Sequence, residues 1–200
     1  MIRRFAPWIA VGLASLALLV AIGLRGHSGS ATNTGGVGGP FQLIDQTGKP
    51  TDQSVLKGKW SAVYFGYTYC PDFCPTTLTT LGGAIDRMGP RAKDFQVVFI
   101  TVDPHRDTSA QLKNYLSSSE FPRGVIGLTG SDEQVAKAAK AYGVYYQKAG
   151  SGPSYSVDHS SAVYLMDPKG QFATVIPYGL TPDQAKDSIV RAMQDQAAHG

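Results

Sequence analysis

The first hydrophobic feature is also the longest. Residues 5–24 (FAPWIAVGLASLALLVAIGL) run for 20 positions without a formal charge. At about 1.5 Å per residue such a helix spans roughly 30 Å, the thickness of a bilayer's hydrocarbon core. Arg3 and Arg4 precede it, which predicts a cytoplasmic N-terminus with the rest of the chain exported. The stretch exceeds the usual signal-peptide core, so residues 1–25 are read as an uncleaved membrane anchor; a cleaved signal peptide is the alternative. Residues 26–39 (GHSGSATNTGGVGG) form a Gly/Ser/Thr-rich linker.

From residue 40 to 200 the pattern changes to that of a folded domain. Residues 41–44 and a turn at 46–49 predict an N-terminal hairpin. Residues 60–67 (WSAVYFGY) and 95–102 (FQVVFITV) are near-continuous apolar runs, expected of strands buried on both faces. Between them a helix is predicted over about 76–88. Thr108 caps a helix to about 117, residues 125–128 make a short strand, and Ser131 opens a helix that Gly143 closes. Residues 161–166 and 172–177 pair across Asp167-Pro168-Lys169-Gly170. Thr181-Pro182 opens a last helix to about 194, and residues 196–200 are expected to fray. Strand–helix alternation followed by a hairpin and a helix gives an α/β domain with a mixed sheet flanked by helices.

Composition refines this picture in one respect. The chain has 200 residues, 42% hydrophobic and 16% charged, with a net charge of +3. Arg3, Arg4 and Arg25 account for that whole excess, leaving the exported domain neutral. A neutral domain without a basic stripe gives no electrostatic case for nucleic-acid binding.

The candidate chemistry lies in the two cysteines of the chain, Cys70 and Cys74, which share one five-residue window. The window follows a buried strand and opens a helix, so both sulfurs are expected on one helical face. The helix dipole there favours thiolates. Three readings are open: a structural disulfide, a dithiol redox centre, and a thiolate metal site that needs a third ligand. A four-residue loop constrains the unfolded chain little, which weakens the first. Of four histidines, His27 is in the linker and His199 in the tail. His105 reads as an exposed loop residue. His159, just before the 161–166 strand, is the candidate third ligand. A Cys2His set suits one copper ion, since thiolates hold Cu(I) and an imidazole makes Cu(II) tolerable. Asp103 and Asp107 are expected to brace the turn before the helix at 108.

Three separated motifs then carry a family resemblance: Tyr69-Cys70-Pro71-Asp72-Phe73-Cys74-Pro75, Val102-Asp103-Pro104-His105-Arg106-Asp107-Thr108 and Val157-Asp158-His159-Ser160. In this order the chain resembles the Sco/SenC family of copper-binding proteins with a thioredoxin-like fold. The resemblance implies that Cys70, Cys74 and His159 bind one copper ion as Cu(I) or Cu(II). It implies a role in assembling the CuA centre on subunit II of cytochrome c oxidase, with a periplasmic thiol reductant and a copper donor as further partners. Asp72 resembles an acidic residue that tunes the site or contacts a partner, though a helix-dipole role fits it equally. Asp158 would orient the His159 imidazole. The expected location is a bacterial inner membrane, single-pass, with the domain in the periplasm. The alternative is a thiol–disulfide oxidoreductase or thiol peroxidase acting through Cys70 and Cys74 alone. The spacing of three residues between the cysteines, and Ser160-Ser161 where a thioredoxin-like enzyme usually has a cis-proline, weaken it.

Overall fold

A computed structural model of the chain describes residues 36–199. The expected membrane anchor and most of the expected linker lie outside the described residues. Among those described, no helix is long and apolar enough to cross a membrane. The packed body begins a little earlier than the linker's glycines suggest. Val37 packs against the core and the Gly38 N–H bonds to the Ala141 carbonyl at 2.9 Å.

The apolar runs become the central strands. β1 (Gln42–Asp45) and β2 (Pro50–Asp52) form the expected hairpin. β3 (Trp60–Gly66) is buried at every position and β4 (Phe95–Thr101) at all but Gln96. They lie parallel, in register from Trp60↔Phe95 to Gly66↔Thr101, and β5 (Ile126–Thr129) continues the parallel set. β8 (Val163–Met166) runs antiparallel to β3, and β9 (Phe172–Ile176) closes the edge after a register shift at Leu165/Met166. The sheet order is β2-β1-β5-β4-β3-β8-β9, a mixed sheet as expected.

Local signals set the helix ends. α1 (Phe73–Asp86) begins three residues before the predicted start. α2 (Ser109–Tyr115) is capped by the Thr108 side chain, which accepts from Gln111 N–H. α3 (Asp132–Ala141) starts with a full capping box between Ser131 and Gln134, and Gly143 follows it at φ 65°. α4 (Pro182–His199) runs past the predicted end at 194. The tail expected to fray is helical through His199, because Gln196 Nε2 donates to buried Asp167 in the β8–β9 turn at 3.1 Å.

The sequence pattern misses one element pair. β6 (Tyr146–Ala149) and β7 (Ser156–His159) form a separate two-stranded ribbon. Its strands carry little apolar alternation, and only Val157 among them is fully buried. The ribbon matters because its last residue is His159.

The topology brings the three motifs to one sheet edge. β3 ends at Gly66 opposite the end of β4 at Thr101, so the cysteine window and the 102–108 motif leave the sheet together. Tyr64 pairs with Val163 at the start of β8, so the chain arriving from His159 enters at the same edge. This is the carboxyl end of the parallel strands, where open α/β sheets form their sites.

Candidate metal centre

The cysteines sit on two different kinds of backbone. Cys74 is the second residue of α1, whereas Cys70 precedes the helix and its N-cap, Asp72. The expectation of a shared helical face is therefore corrected: Pro71 disfavours helical backbone at the residue before it, and Cys70 turns back instead, its N–H bonded to the Tyr67 carbonyl at 3.2 Å. The sulfurs still meet. The Cys74 N–H, one of the donors the helix start leaves without an intrahelical partner, donates to Cys70 Sγ at 3.4 Å. Neither cysteine is in a disulfide. Cys70 is 7% exposed and Cys74 0%.

His159 arrives from the ribbon. Its Nε2 is 3.5 Å from Cys74 Sγ. Its Nδ1 lies 2.9 Å from the Ser160 carbonyl. A carbonyl only accepts, so Nδ1 carries the proton and Nε2 faces the sulfurs. The ring stands edge-on to Tyr67 and Tyr64, with centroids 5.8 and 6.2 Å away. Tyr64, wholly buried in β3, donates its hydroxyl to Cys74 Sγ at 3.5 Å.

The two thiols are electrostatically unequal. Hydrogen bonding from Cys74 lowers the Cys70 pKa to about 4 against the opposing effect of burial, with further help from His159 and the Asp72 and Cys74 backbone amides. The Cys74 thiol is pushed up, first by its bond to Cys70 and then by burial. The arrangement favours the thiolate at Cys70, the more accessible sulfur, over Cys74. A cleft of about 320 Å³, lined by Tyr67, Cys70, Pro71, Phe73 and His159 among others, opens onto Cys70.

The ligand atoms of Cys70, Cys74 and His159 all lie within 4.8 Å of one another. With bonds of the length zinc makes to sulfur and imidazole, about 2.3 and 2.0 Å, three ligands around one ion sit roughly 3.6–4.0 Å apart. Two sulfurs and an imidazole gathered this closely suit a single soft ion.

The other sequence candidates fall elsewhere. Asp158 is exposed, and the Ser160 carbonyl holds the imidazole nitrogen assigned to it; neighbouring residues of a strand face opposite ways. Asp72 is exposed and accepts from Thr76 Oγ1 at 3.2 Å, a local role at the helix start. His105 is exposed and pairs with Asp132 at 2.9 Å. Asp107 is buried and accepts from Thr68 N–H, Thr68 Oγ1 and Thr101 Oγ1 at 2.9, 2.7 and 2.7 Å, bracing the cysteine loop. Burial pushes its carboxyl pKa up. Asp103 accepts from Arg106 and from the Tyr155 hydroxyl. Sequence reasoning missed Tyr64; its one signal was a hydroxyl inside an otherwise apolar run, which needs a partner when buried.

An α/β domain of thioredoxin-like architecture that gathers two sulfurs and an imidazole at one sheet edge belongs to the class of thiol-based metal and redox proteins. Comparison with known proteins narrows this. A family model described as SCO1/SenC matches residues 29–194, and the chain belongs to that family. Protein SenC of Rhodobacter capsulatus is 42% identical over 165 residues, covering 82% of this chain and 73% of its own. Protein SCO1 homolog 1, mitochondrial, of Arabidopsis thaliana is 40% identical over 168 residues, 83% of this chain; the match spans 50% of that longer protein. The structure of Bradyrhizobium japonicum ScoI with copper bound aligns with a TM-score of 0.70 at 41% identity, over 78% of this chain and 99% of that one.

Proposed function

We propose that this protein is a membrane-anchored periplasmic copper chaperone that assists assembly of the CuA centre of cytochrome c oxidase. The observation that carries the reading is the convergence of Cys70 Sγ, Cys74 Sγ and His159 Nε2 within 4.8 Å. Copper is the cargo. The two sulfurs suit Cu(I), and the imidazole extends the site to Cu(II). The related ScoI structure with copper bound supports the choice of metal. Residues 5–24 supply the anchor and residues 26–39 the tether. Delivery to oxidase subunit II proceeds by exchange of these ligands for cysteine and histidine of the acceptor. In an oxidising compartment a Cys70–Cys74 disulfide would block loading, so a thiol reductant and a copper donor complete the set of partners.

The test is anaerobic copper titration of the reduced chain beside Cys70→Ser, Cys74→Ser and His159→Ala. One ion per chain is expected, with sulfur-to-copper charge-transfer absorption in the Cu(II) form. Either cysteine variant should lose both oxidation states, and His159→Ala should lose Cu(II) far more than Cu(I). Equal Cu(II) affinity in His159→Ala would remove that residue from the site.

A second reading is favoured by the inequality of the thiols. The Cys70 thiolate, reached from the cleft, attacks a disulfide of the acceptor and forms a mixed disulfide. Cys74 then displaces the acceptor, which leaves as a dithiol while Cys70 and Cys74 close a disulfide. The two electrons come from this dithiol. Metal-free reduction of a disulfide that is indifferent to His159→Ala would support this reading over the first.

A further inference from the structure

The 102–108 motif holds neither sulfur nor ligand imidazole, yet one of its side chains touches both segments that do. The Arg106 guanidinium carbon lies 3.6 Å from the centre of the Tyr155 ring, 4.7 Å from that of Tyr69 and 5.7 Å from that of Tyr67. Tyr69 adjoins Cys70, and Tyr67 packs edge-on against His159. Tyr155 leads directly into β7, the strand that ends at His159. The guanidinium is fixed as well as stacked. Nε donates to Asp103, which is 3% exposed, and the other oxygen of that carboxylate accepts the Tyr155 hydroxyl at 2.6 Å. Nη1 reaches the Pro153 carbonyl at 3.4 Å. Nη2 is buried with no hydrogen-bond partner among the described residues, so aromatic faces are what it has.

We propose that Arg106 is a positioning residue: a cationic clamp that holds the β6–β7 ribbon, and with it the His159 imidazole, against the cysteine loop. The ribbon shares no ladder with the main sheet, and a two-stranded ribbon is marginal by itself. Its docking comes from contacts other than a ladder, among them the Val157 backbone against the Tyr67 hydroxyl. Arg106 supplies a planar cation that covers rings from both segments at once, which a point charge on a flexible stem does less well. This inference rests on the copper reading of the site, because its consequence is read on the metal. Loosening the ribbon removes the imidazole and spares the sulfurs. It therefore weakens Cu(II), which needs nitrogen, more than Cu(I), which two thiolates satisfy.

The experiment compares the parent chain with Arg106→Met and with Arg106→Met/Asp103→Asn. The double variant is included because Arg106→Met alone leaves a buried carboxylate unpaired and can fail to fold. Amide hydrogen exchange is followed in the reduced, metal-free protein on peptides covering residues 146–159. Cu(I) is titrated against a competing chelator and Cu(II) by absorption. The clamp predicts at least tenfold faster exchange in the ribbon with the sheet strands unchanged. It also predicts at least tenfold weaker Cu(II) binding, and Cu(I) binding within threefold of the parent. Parent-like ribbon exchange in a folded variant overturns it. So does faster exchange with Cu(II) affinity unchanged, or equal loss of both oxidation states. A parent that binds no copper refutes the metal reading instead, and ribbon exchange alone then decides the clamp.

Discussion

Gly66 is the position where the smallest chemical change meets the site most directly. It ends β3 beneath the first turn of α1. A methyl group on its Cα would sit 2.7 Å from Cys74 Sγ and 3.0 and 3.2 Å from two ring carbons of Phe99. Heavy atoms settle at about 3.5–4.0 Å, so in Gly66→Ala the sulfur must retreat by roughly 0.8 Å or more. Its backbone is not left-handed, so the substitution strains no dihedral and stiffening the unfolded chain returns about 0.4–1 kcal/mol. Overpacking costs about 1–3 kcal/mol. The net loss of stability, read by urea unfolding of the reduced protein, is expected near 1 kcal/mol. Copper binding should suffer more, because a metal constellation tolerates only about 0.5 Å of misplacement. A competition titration should show at least a tenfold loss, or about 1.4 kcal/mol. A folded Gly66→Ala protein that binds copper within twofold of the parent would refute the argument that β3 fixes the Cys74 sulfur.

Two further outcomes follow from the inequality of the sulfurs. With its pKa near 4, Cys70 should react with iodoacetamide at pH 6 while Cys74 does not, and Cys70→Ser should abolish the reaction. The folded Cys70 pKa lies below the ordinary thiol value of 9.0. Its contribution to stability is therefore complete above pH 9 and is lost as the pH falls toward 4. Cys74 shifts the other way and stays a thiol in both states across that window, so a rise in stability from about pH 4 to 9 that vanishes in Cys70→Ser is the expected signature. Tyr64→Phe removes the hydroxyl bonded to Cys74 Sγ. Losing a hydrogen bond raises the energy of the sulfur electrons, so the sulfur-to-Cu(II) absorption should move to longer wavelength with unfolding stability changed by less than about 1.5 kcal/mol. An unmoved band would separate Tyr64 from the metal.

The parts of the molecule that advertise themselves in the sequence are those whose reason for existing is local. The runs at 60–67 and 95–102 are apolar because both faces of β3 and β4 are covered, and Thr108 and Ser131 mark helix starts because their oxygens bond the next turn. Cys70, Cys74 and His159 were legible as candidates because few other side chains bind soft metals. What was hidden is tertiary. The β6–β7 ribbon has no apolar period to betray it, since side chains outside it dock it. The last turns of α4 depend on Gln196 reaching Asp167, 29 residues away in sequence. Asp158 looked like the imidazole's partner by adjacency, but the Ser160 carbonyl occupies that nitrogen. The stack on Arg106 joins residues 37 to 49 positions away, at Tyr69 and Tyr155, and no spacing rule connects them.

The separation of the ribbon from the seven-stranded sheet makes the cradle lopsided. Two of its three fingers are rooted between β3 and α1, at the end of a central strand of the seven-stranded sheet; the third stands on a drawbridge. Lowering that bridge would carry the imidazole away from the sulfurs without disturbing a single ladder bond of the sheet, because local openings draw on the weakest cooperative unit first. On the proposed copper reading, the nitrogen would then be the ligand given up first.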